Sequence, residues 1–171
     1  MSGRQVSLFA TGFKFPEGPA FDRNKNLFVV NIDTGDISKI SPKGQVKVFV
    51  NTGGAPNGAQ FHPNGDLYVA DRAKGIIAIS PNGNIRVVVN NYQGKKFNGP
   101  NDLVFDSAGN LYFTDPHGSS AENPWAASEV PKILMCWPLG SRTYSMNMLI
   151  AAVISWPLVR VPCHDRSMVD R

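Results

Sequence analysis

The sequence predicts an all-β fold, a β-propeller built from four-stranded blades, and three observations support this prediction. One phrase occurs three times, starting at Pro16, Pro56 and Pro100, so its periods are 40 and 44 residues. Each copy leads into short runs rich in Val, Ile, Phe and Tyr, and no helical periodicity competes within residues 1–125. Four short strands in a repeat of about 40 to 45 residues are typical of a propeller blade.

Each repeat contains four strand-like runs. The first two form the phrase itself, for example PNGAQFHPNGDLYVAD at 56–71. Asn64-Gly65 marks the turn between these two runs. The third and fourth follow in ISKISPKGQVKVFVN at 37–51, which is echoed by IIAISPNGNIRVVVN at 76–90. The second runs, such as 27–30 and 67–70, are apolar on both pleat faces. Each sheet is therefore expected to pack between two neighbouring sheets.

The turn residues that punctuate the repeats stop near Trp125. The sequence thus divides into residues 1–124, the three-blade part of a propeller, and residues 125–171, a divergent and irregular tail. Within the tail, ILMCWPLG at 133–140 is similar to ISKISPKG and is expected to supply an outer strand of the third blade. A shifted reading frame or a misjoined exon would explain the change and would leave a truncated chain with a non-native tail. A genuine short variant is the alternative.

Composition and charge argue against several classes of partner. The net charge is +4, but Lys and Arg are scattered without interleaved aromatic residues, so no nucleic acid is expected to bind. The apolar run at 148–153 is shorter than the roughly 20 residues of a bilayer span, so no membrane partner is expected. Two cysteines and no apolar leader favour a reducing compartment, and a cytoplasmic location is expected.

The residue after each repeat Pro is the candidate for chemistry. Because the innermost strands of a propeller border its central channel, these residues should converge on one axis. They are Glu17, Asn57 and Asn101, which offer the oxygen ligands that Ca²⁺ prefers. Alternatively, they are turn residues ahead of a strand. A channel carboxylate without a positive partner is costly, which favours the metal site. Asp71 and Asp115, at strand ends, are expected to accept hydrogen bonds from turn amides.

FPEGPAFD at 15–22, GPNDLVFDSAGNLYFTDP at 99–116 and the ISPNG turns resemble the senescence-marker-protein, gluconolactonase and luciferin-regenerating-enzyme family of six-bladed propellers. The resemblance implies that Glu17 and Asn101 bind a divalent metal, with Ca²⁺ first and Zn²⁺ or Mg²⁺ as alternatives. It also implies that Asn101 and Asn57 contact the substrate. The family's remaining ligands, an Asn and an Asp from later blades, have no counterpart here, so no catalytic residue is assigned.

The same resemblance implies a function, the metal-dependent hydrolysis of a small-molecule sugar lactone. Because the Asp of a later blade is missing, low or no activity is expected. The alternative is a non-enzymatic binding module similar to NHL propellers, although a channel carboxylate at Glu17 argues against it. About three blades would leave open blade edges, so self-association through these edges is expected.

Overall fold

The computed structural model describes residues 5–116, 132–137 and 159–162, and within them all regular structure is β. No helix in these ranges is long and apolar enough to cross a membrane. The strands are, in chain order, β1 (Pro16–Phe21), β2 (Leu27–Asn31), β3 (Asp36–Ile40), β4 (Val46–Asn51), β5 (Pro56–Phe61), β6 (Leu67–Asp71), β7 (Gly75–Ile79), β8 (Ile85–Val89), β9 (Asn91–Tyr92), β10 (Lys95–Lys96), β11 (Leu103–Phe105), β12 (Leu111–Asp115), β13 (Lys132–Trp137) and β14 (Val159–Pro162).

The described strands form three four-stranded sheets, each with its strands in chain order, and one two-stranded hairpin. Sheet one is β1–β4, sheet two is β5–β8, and sheet three is β11–β14, while β9 and β10 form the hairpin. Every pairing in sheets one and two is antiparallel. The prediction of four strands per repeat is therefore confirmed for the first two repeats, and both open with the Pro of the repeated phrase.

The hydrophobic core lies between the sheets, as the two-sided apolar runs predict. In β6, Val69 packs toward sheet one in a cluster with Phe28 and Val30. The next residue, Ala70, points the other way and packs with Leu111 and Phe113 of sheet three. Because alternate residues of a strand face opposite sides of its sheet, sheet two is covered on both faces. All of these side chains are buried, and Val30 and Val69 are fully so.

The turns between the first two strands of the first and third repeats have the same hydrogen bonds to an Asp carboxylate, whereas His62 takes this position in the second repeat. In the first repeat, Asp22 Oδ1 accepts bonds from the backbone amides of Asn24 and Asn26. In the third, Asp106 Oδ1 accepts bonds from those of Ala108 and Asn110. Burial raises the pKa of both carboxyls, but these bonds and those from the Asn side chains outweigh it and hold each pKa below its ordinary value. Each carboxylate therefore stabilises its turn.

Two elements near sheet three were not predicted from the sequence: the β9–β10 hairpin and strand β14. The β9–β10 hairpin lies between the second and third repeats, which explains why the second period is longer than the first. The strand predicted at 133–140 is present as β13 and pairs antiparallel with β12, while residues 138–140 lie outside the described residues. Strand β14 then pairs parallel with β13, unlike the antiparallel pairs elsewhere in the described sheets. The rest of the predicted tail also lies outside the described residues.

Candidate functional site

The first strands of the first two repeats are irregular where the candidate residues lie. In β1, Glu17 pairs with Val30, and the register with β2 then shifts before Ala20. In β5, the shift falls between Pro56 and Ala59, and so includes Asn57. Such bulges redirect side chains out of the regular alternation of a strand and are common beside active sites. The irregular backbone is thus shared by two equivalent positions of the repeat.

Glycines after the candidate residues allow the first strands to approach closely. A side chain at Gly18 would overlap the backbone carbonyl of Asn57. One at Gly58 would place its Cβ 2.8 Å from the carbonyl oxygen of Asn101, and the Gly58 amide donates to that oxygen at 2.6 Å. The backbones at Glu17, Asn57 and Asn101 therefore stand side by side. Glu17 and Asn57 lie in β1 and β5, and Asn101 lies just before β11. We call these three residues the first-strand row.

The side chains of the first-strand row have no structural partner in the described part of the chain. Glu17 is exposed, Asn101 is half-buried, and Asn57 is 8% exposed. Among the described residues, none of the three side chains takes part in a hydrogen bond or an ion pair. Among the described residues, the polar atoms of Asn57 are not among those that are both buried and unpartnered, so its amide is open to water or to a ligand.

The polar residues at the strand ends contrast with this row, because they are committed to the fold. Asp71 is fully buried, and its Oδ1 accepts bonds from the amides of Ala55, Ala73 and Lys74 at 2.9–3.0 Å. Asp115 accepts a bond at 2.9 Å from the Gly99 amide. The prediction that these two carboxylates bind turn amides is confirmed. Each of these carboxylates thus binds turn amides, although Asp71 Oδ2 is buried without a hydrogen-bond partner among the described residues.

Asp102 is a candidate site residue that the sequence comparison missed. It occupies the position of Gly18 and Gly58 in the third repeat, and a Cβ at Gly58 would lie 2.6 Å from its Oδ1. That oxygen accepts a bond from the Leu103 amide at 2.8 Å, while the residue itself is exposed. It adds a second carboxylate beside the first-strand row. Its signal was the departure from Gly at a position where the first two repeats agree.

The oxygen donors of the first-strand row are of the kind that bind a hard cation. Carboxylate and amide oxygens are the ligands that Ca²⁺ and Mg²⁺ take, whereas Zn²⁺ sites draw mainly on Cys and His. Among the described residues, no three or more His, Cys, Asp or Glu side chains cluster so that they alone could hold a metal ion. Amide oxygens and water would therefore have to complete the coordination of a cation held by Glu17 and Asn101.

Comparison with known proteins identifies the family. A model of the SMP-30/Gluconolactonase/LRE-like region matches residues 15–141, which is more than half of the chain. The chain belongs to this family. A similar relative, the gluconolactonase of Zymomonas mobilis, is 33% identical over 127 residues, which cover 65% of this chain and 36% of the relative. The diisopropyl-fluorophosphatase of Loligo vulgaris is 29% identical over 127 residues, which cover 66% of this chain and 40% of that protein.

A solved structure supports the fold of this family member. A gluconolactonase from Xanthomonas campestris superposes with a TM-score of 0.64 at 22% identity, covering 72% of this chain and 44% of that one. At this identity the likeness concerns the fold, and it confirms the predicted all-β, propeller-type architecture. The chain spans less than half the length of each of these proteins. The roles of Glu17, Asn57 and Asn101 in binding stay predictions.

Proposed function

We propose that the first-strand row is part of a metal-assisted site that hydrolyses a sugar lactone or a related ester. The observation that supports the proposal most is the contrast between these side chains and the strand-end carboxylates. Glu17, Asn57 and Asn101 have oxygen donors, adjacent backbones and no hydrogen-bond or ion-pair partner among the described residues. Relatives named gluconolactonase and lactonase give the proposal its reaction class.

In this proposal, Glu17 and Asn101 hold a divalent cation, with Ca²⁺ preferred because the donors are oxygens. When bound, such a cation polarises a carbonyl and lowers the pKa of a coordinated water. Asn57 and Asn101 orient the substrate, since an Asn amide offers two donors and one acceptor oxygen to sugar hydroxyls. Asp102 adds negative charge beside Gly58 and strengthens the attraction for the cation.

We expect cation binding and turnover to be weak. Ca²⁺ takes six to eight oxygen ligands, and affinity rises with the number of charged ligands and with site rigidity. The first-strand row supplies three side chains, of which only Glu17 is a carboxylate, and Glu17 is exposed to water. A dissociation constant in the range of about 10⁻⁴ to 10⁻³ M, which is typical of weak calcium sites, is the expected value. Hydrolysis should be close to background.

The experiment is calcium titration calorimetry together with a gluconolactone hydrolysis assay on the full chain. Glu17→Gln removes the charge of the first-strand row while keeping the side-chain shape. Asp33→Asn removes the same charge from an exposed turn after β2 and is the matched control. We expect Glu17→Gln to abolish calcium binding and the residual hydrolysis, and Asp33→Asn to leave both within about twofold of wild type, because exposed charges interact weakly through water.

Two results would contradict this proposal. Equal calcium binding by wild type and Glu17→Gln would show that Glu17 does not bind the cation. Absence of metal-stimulated hydrolysis in both proteins, combined with saturable binding of a macromolecular partner, would favour the alternative of a non-enzymatic binding module. Tight calcium binding with fast turnover would instead show that the site is more complete than the first-strand row.

A further inference from the structure

A cleft of about 510 Å³ lies between sheet one and sheet two, at the ends of β1 and β5. Glu17 and Asn57 lie near the starts of these two strands, so the cleft and the first-strand row are at opposite ends of the sheets. The volume of the cleft falls within the range of about 300 to 1,000 Å³ that is usual for small-molecule sites. The structure describes all four strands of both sheets that bound it.

The walls of the cleft are apolar and largely aromatic. Four phenylalanines line it, from β1, β2, β4 and β5 respectively: Phe21, Phe28, Phe49 and Phe61. The ring of Phe28 is buried and meets the rings of Phe49 and Phe61 edge to face, with centroids 5.2 and 5.0 Å away. Phe49 and Phe61 are half-buried and Phe21 is 66% exposed, so a ligand here would remove aromatic surface from water. We call this space the phenylalanine cleft.

The equivalent place between sheet two and sheet three is occupied by a ring. Tyr68 and Phe105 take the repeat positions of Phe28 and Phe61, and both pairs meet edge to face with ring centroids 5.0 Å apart. The imidazole of His62 then packs against Phe105, with the two ring centroids 4.8 Å apart. A flat ring is therefore the shape that this place in the repeat accepts.

The first repeat has no ring to put in this place. Asp22 takes the position of His62, and its carboxylate is held by hydrogen bonds within its own turn. Among the described residues, the ring of Phe61 contacts only the ring of Phe28. The ring that covers Phe105 thus has no counterpart on Phe61, and the phenylalanine cleft is the space that this difference leaves.

Two cationic side chains, Lys39 and Arg23, also line the phenylalanine cleft. Lys39 Nζ lies 5.1 Å from the centre of the Phe28 ring and 3.5 Å from Asp22 Oδ2, which is longer than the roughly 2.7 to 2.9 Å of a charge-assisted hydrogen bond. Arg23 Nη2 donates to the Pro63 carbonyl, which leaves the guanidinium four further N–H groups. Asp22 is the one carboxylate among the described lining residues, and it is engaged in its turn. The charge of the cleft therefore suits an anion.

We propose that the phenylalanine cleft binds a small aromatic carboxylate. The ring of the ligand takes the place against Phe61 that the imidazole of His62 takes against Phe105. The carboxylate accepts hydrogen bonds from the ammonium of Lys39, which is half-buried at the cleft. A sugar has no apolar body to cover the phenylalanines, so this site differs in chemistry from the first-strand row. It requires neither a metal ion nor hydrolysis.

The probe is 3-phenylpropionate, titrated into the full chain in the presence of EDTA and followed by ligand-observed NMR. Two further ligands separate its parts: 3-phenylpropionamide keeps the ring without the charge, and gluconate keeps the carboxylate without an apolar body. We expect 3-phenylpropionate to bind about tenfold more tightly than the amide, as one hydrogen bond between charged groups predicts, and gluconate to show no saturable binding. Absence of saturable binding of 3-phenylpropionate would overturn the proposal.

A pair of lysine variants tests the charge. Lys43 lies in the exposed turn after β3 and does not line the phenylalanine cleft, so Lys43→Met is the matched control for Lys39→Met. We expect Lys39→Met to weaken binding of 3-phenylpropionate about tenfold and to leave that of the uncharged amide unchanged. Lys43→Met should leave both unchanged, because an exposed charge is screened by water. Equal losses in the two variants would overturn the proposal.

Asp22→His tests the space, because it gives the first repeat the ring of the second. The second repeat shows that His serves in this turn, since His62 Nδ1 accepts the Asn64 amide. We expect Asp22→His to fill the phenylalanine cleft and to abolish binding of both 3-phenylpropionate and its amide. Asp106→His makes the same change in the third repeat and should retain binding. Binding that Asp22→His retains would overturn the proposal.

Phe21→Ala keeps the test decisive if Asp22→His fails to fold, because it changes only an exposed side chain. It should weaken binding of 3-phenylpropionate and of the amide by the same factor. Phe15→Ala, which removes an equally exposed ring outside the cleft, is its control, and equal losses in both would overturn the proposal. Glu17→Gln separates this site from the first-strand row. Binding of 3-phenylpropionate should survive that change, and its loss would place the ligand in the first-strand row instead.

Discussion

Gly58 determines how closely the second and third repeats approach at the first-strand row. Its amide donates to the Asn101 carbonyl, and the space where a Cβ would lie is filled by Asp102 and by that carbonyl. The obstacles include backbone atoms, which cannot move as a flexible side chain can. A larger residue at this position must therefore separate β5 from the segment that precedes β11.

We predict that Gly58→Ala lowers the free energy of unfolding by about 1 to 3 kcal/mol, the usual cost of overpacking a well-packed site. Calcium binding should weaken at the same time, because Asn57 and Asn101 would move apart. Gly83→Asn is the control, since Gly83 has no neighbour within 4 Å and its positive φ of 86° suits Asn. Urea unfolding curves that coincide for wild type and Gly58→Ala would refute the close approach.

At the level of single residues, the sequence predicted the first-strand row but not Asp102. The register of the repeats picks out the residue after each Pro, and the structure brings those three backbones together. Asp102 sits where the first two repeats have Gly, so the comparison of repeats passed over it. Its proximity to Gly58 depends on how β5 of sheet two packs against the segment before β11 of sheet three, which no local pattern in the sequence encodes.

Among the elements, the turns after the first strands of the first and third repeats depend on ionised carboxylates. Asp106 Oδ2 accepts bonds from Asn110 Nδ2 at 2.8 Å and from the Tyr112 hydroxyl at 3.2 Å, in addition to the two backbone amides on Oδ1. The pKa of Asp106 is lowered from its ordinary value of 3.8 because these hydrogen bonds outweigh the effect of burial. The charged form is therefore favoured by folding.

We predict that Asp106→Asn lowers stability at pH 7 by about 1 to 3 kcal/mol, the cost of losing hydrogen bonds to a charged group. Because the folded pKa is depressed, this contribution is fully present above pH 3.8 and is lost as the pH falls through the lower folded value. The difference in melting temperature between wild type and Asp106→Asn should narrow below that pH. Asp33→Asn, in an exposed turn, should show little difference at either pH.

The β9–β10 hairpin shows why one element escaped prediction. Its turn is Gln93-Gly94, and both residues have positive φ, 51° and 78°. Two-residue hairpin turns of this kind usually have the sequence Asn-Gly or Asp-Gly, because non-Gly residues other than Asn and Asp rarely adopt positive φ. The strands are only two residues long, too short for an alternation to be recognised. By contrast, the SPKG and SPNG turns were recognisable because they repeat.

For the molecule as a whole, the stacking of sheets could be predicted from the sequence, because a strand buried on both faces has apolar residues at consecutive positions. In β7 all five residues from Gly75 to Ile79 are buried; Ile76 packs toward sheet three, and Ile77 toward sheet one. The parallel pairing of β14 with β13 could not be predicted in this way. It joins segments that are more than 20 residues apart in the chain, and no local pattern in the sequence indicates such a pairing.

The outer surface carries apolar side chains that these stacked sheets do not cover. Val6 is 95% exposed and Leu8 82% exposed, in the segment that precedes β1, and Phe21 at the end of β1 is 66% exposed. Isolated apolar residues at a surface are ordinary, but the segment before β1 also includes the exposed Phe9 and Phe15. Several exposed apolar residues within one short segment make it a candidate surface for association.

We predict that the chain associates with itself, and that its mass in solution, measured by size exclusion with light scattering, rises with concentration. Replacing Leu8 and Phe9 by Ser should shift this association to higher concentration, because each buried aliphatic or aromatic side chain contributes about 1.5 to 3 kcal/mol to an apolar contact. The control is Val87→Ser, which removes a half-exposed apolar residue from β8, far along the chain from that segment. If Leu8 and Phe9 lie in the contact, the double variant moves the midpoint of association and Val87→Ser leaves it unchanged. A constant monomeric mass for wild type at all concentrations would show that this segment is not an association surface.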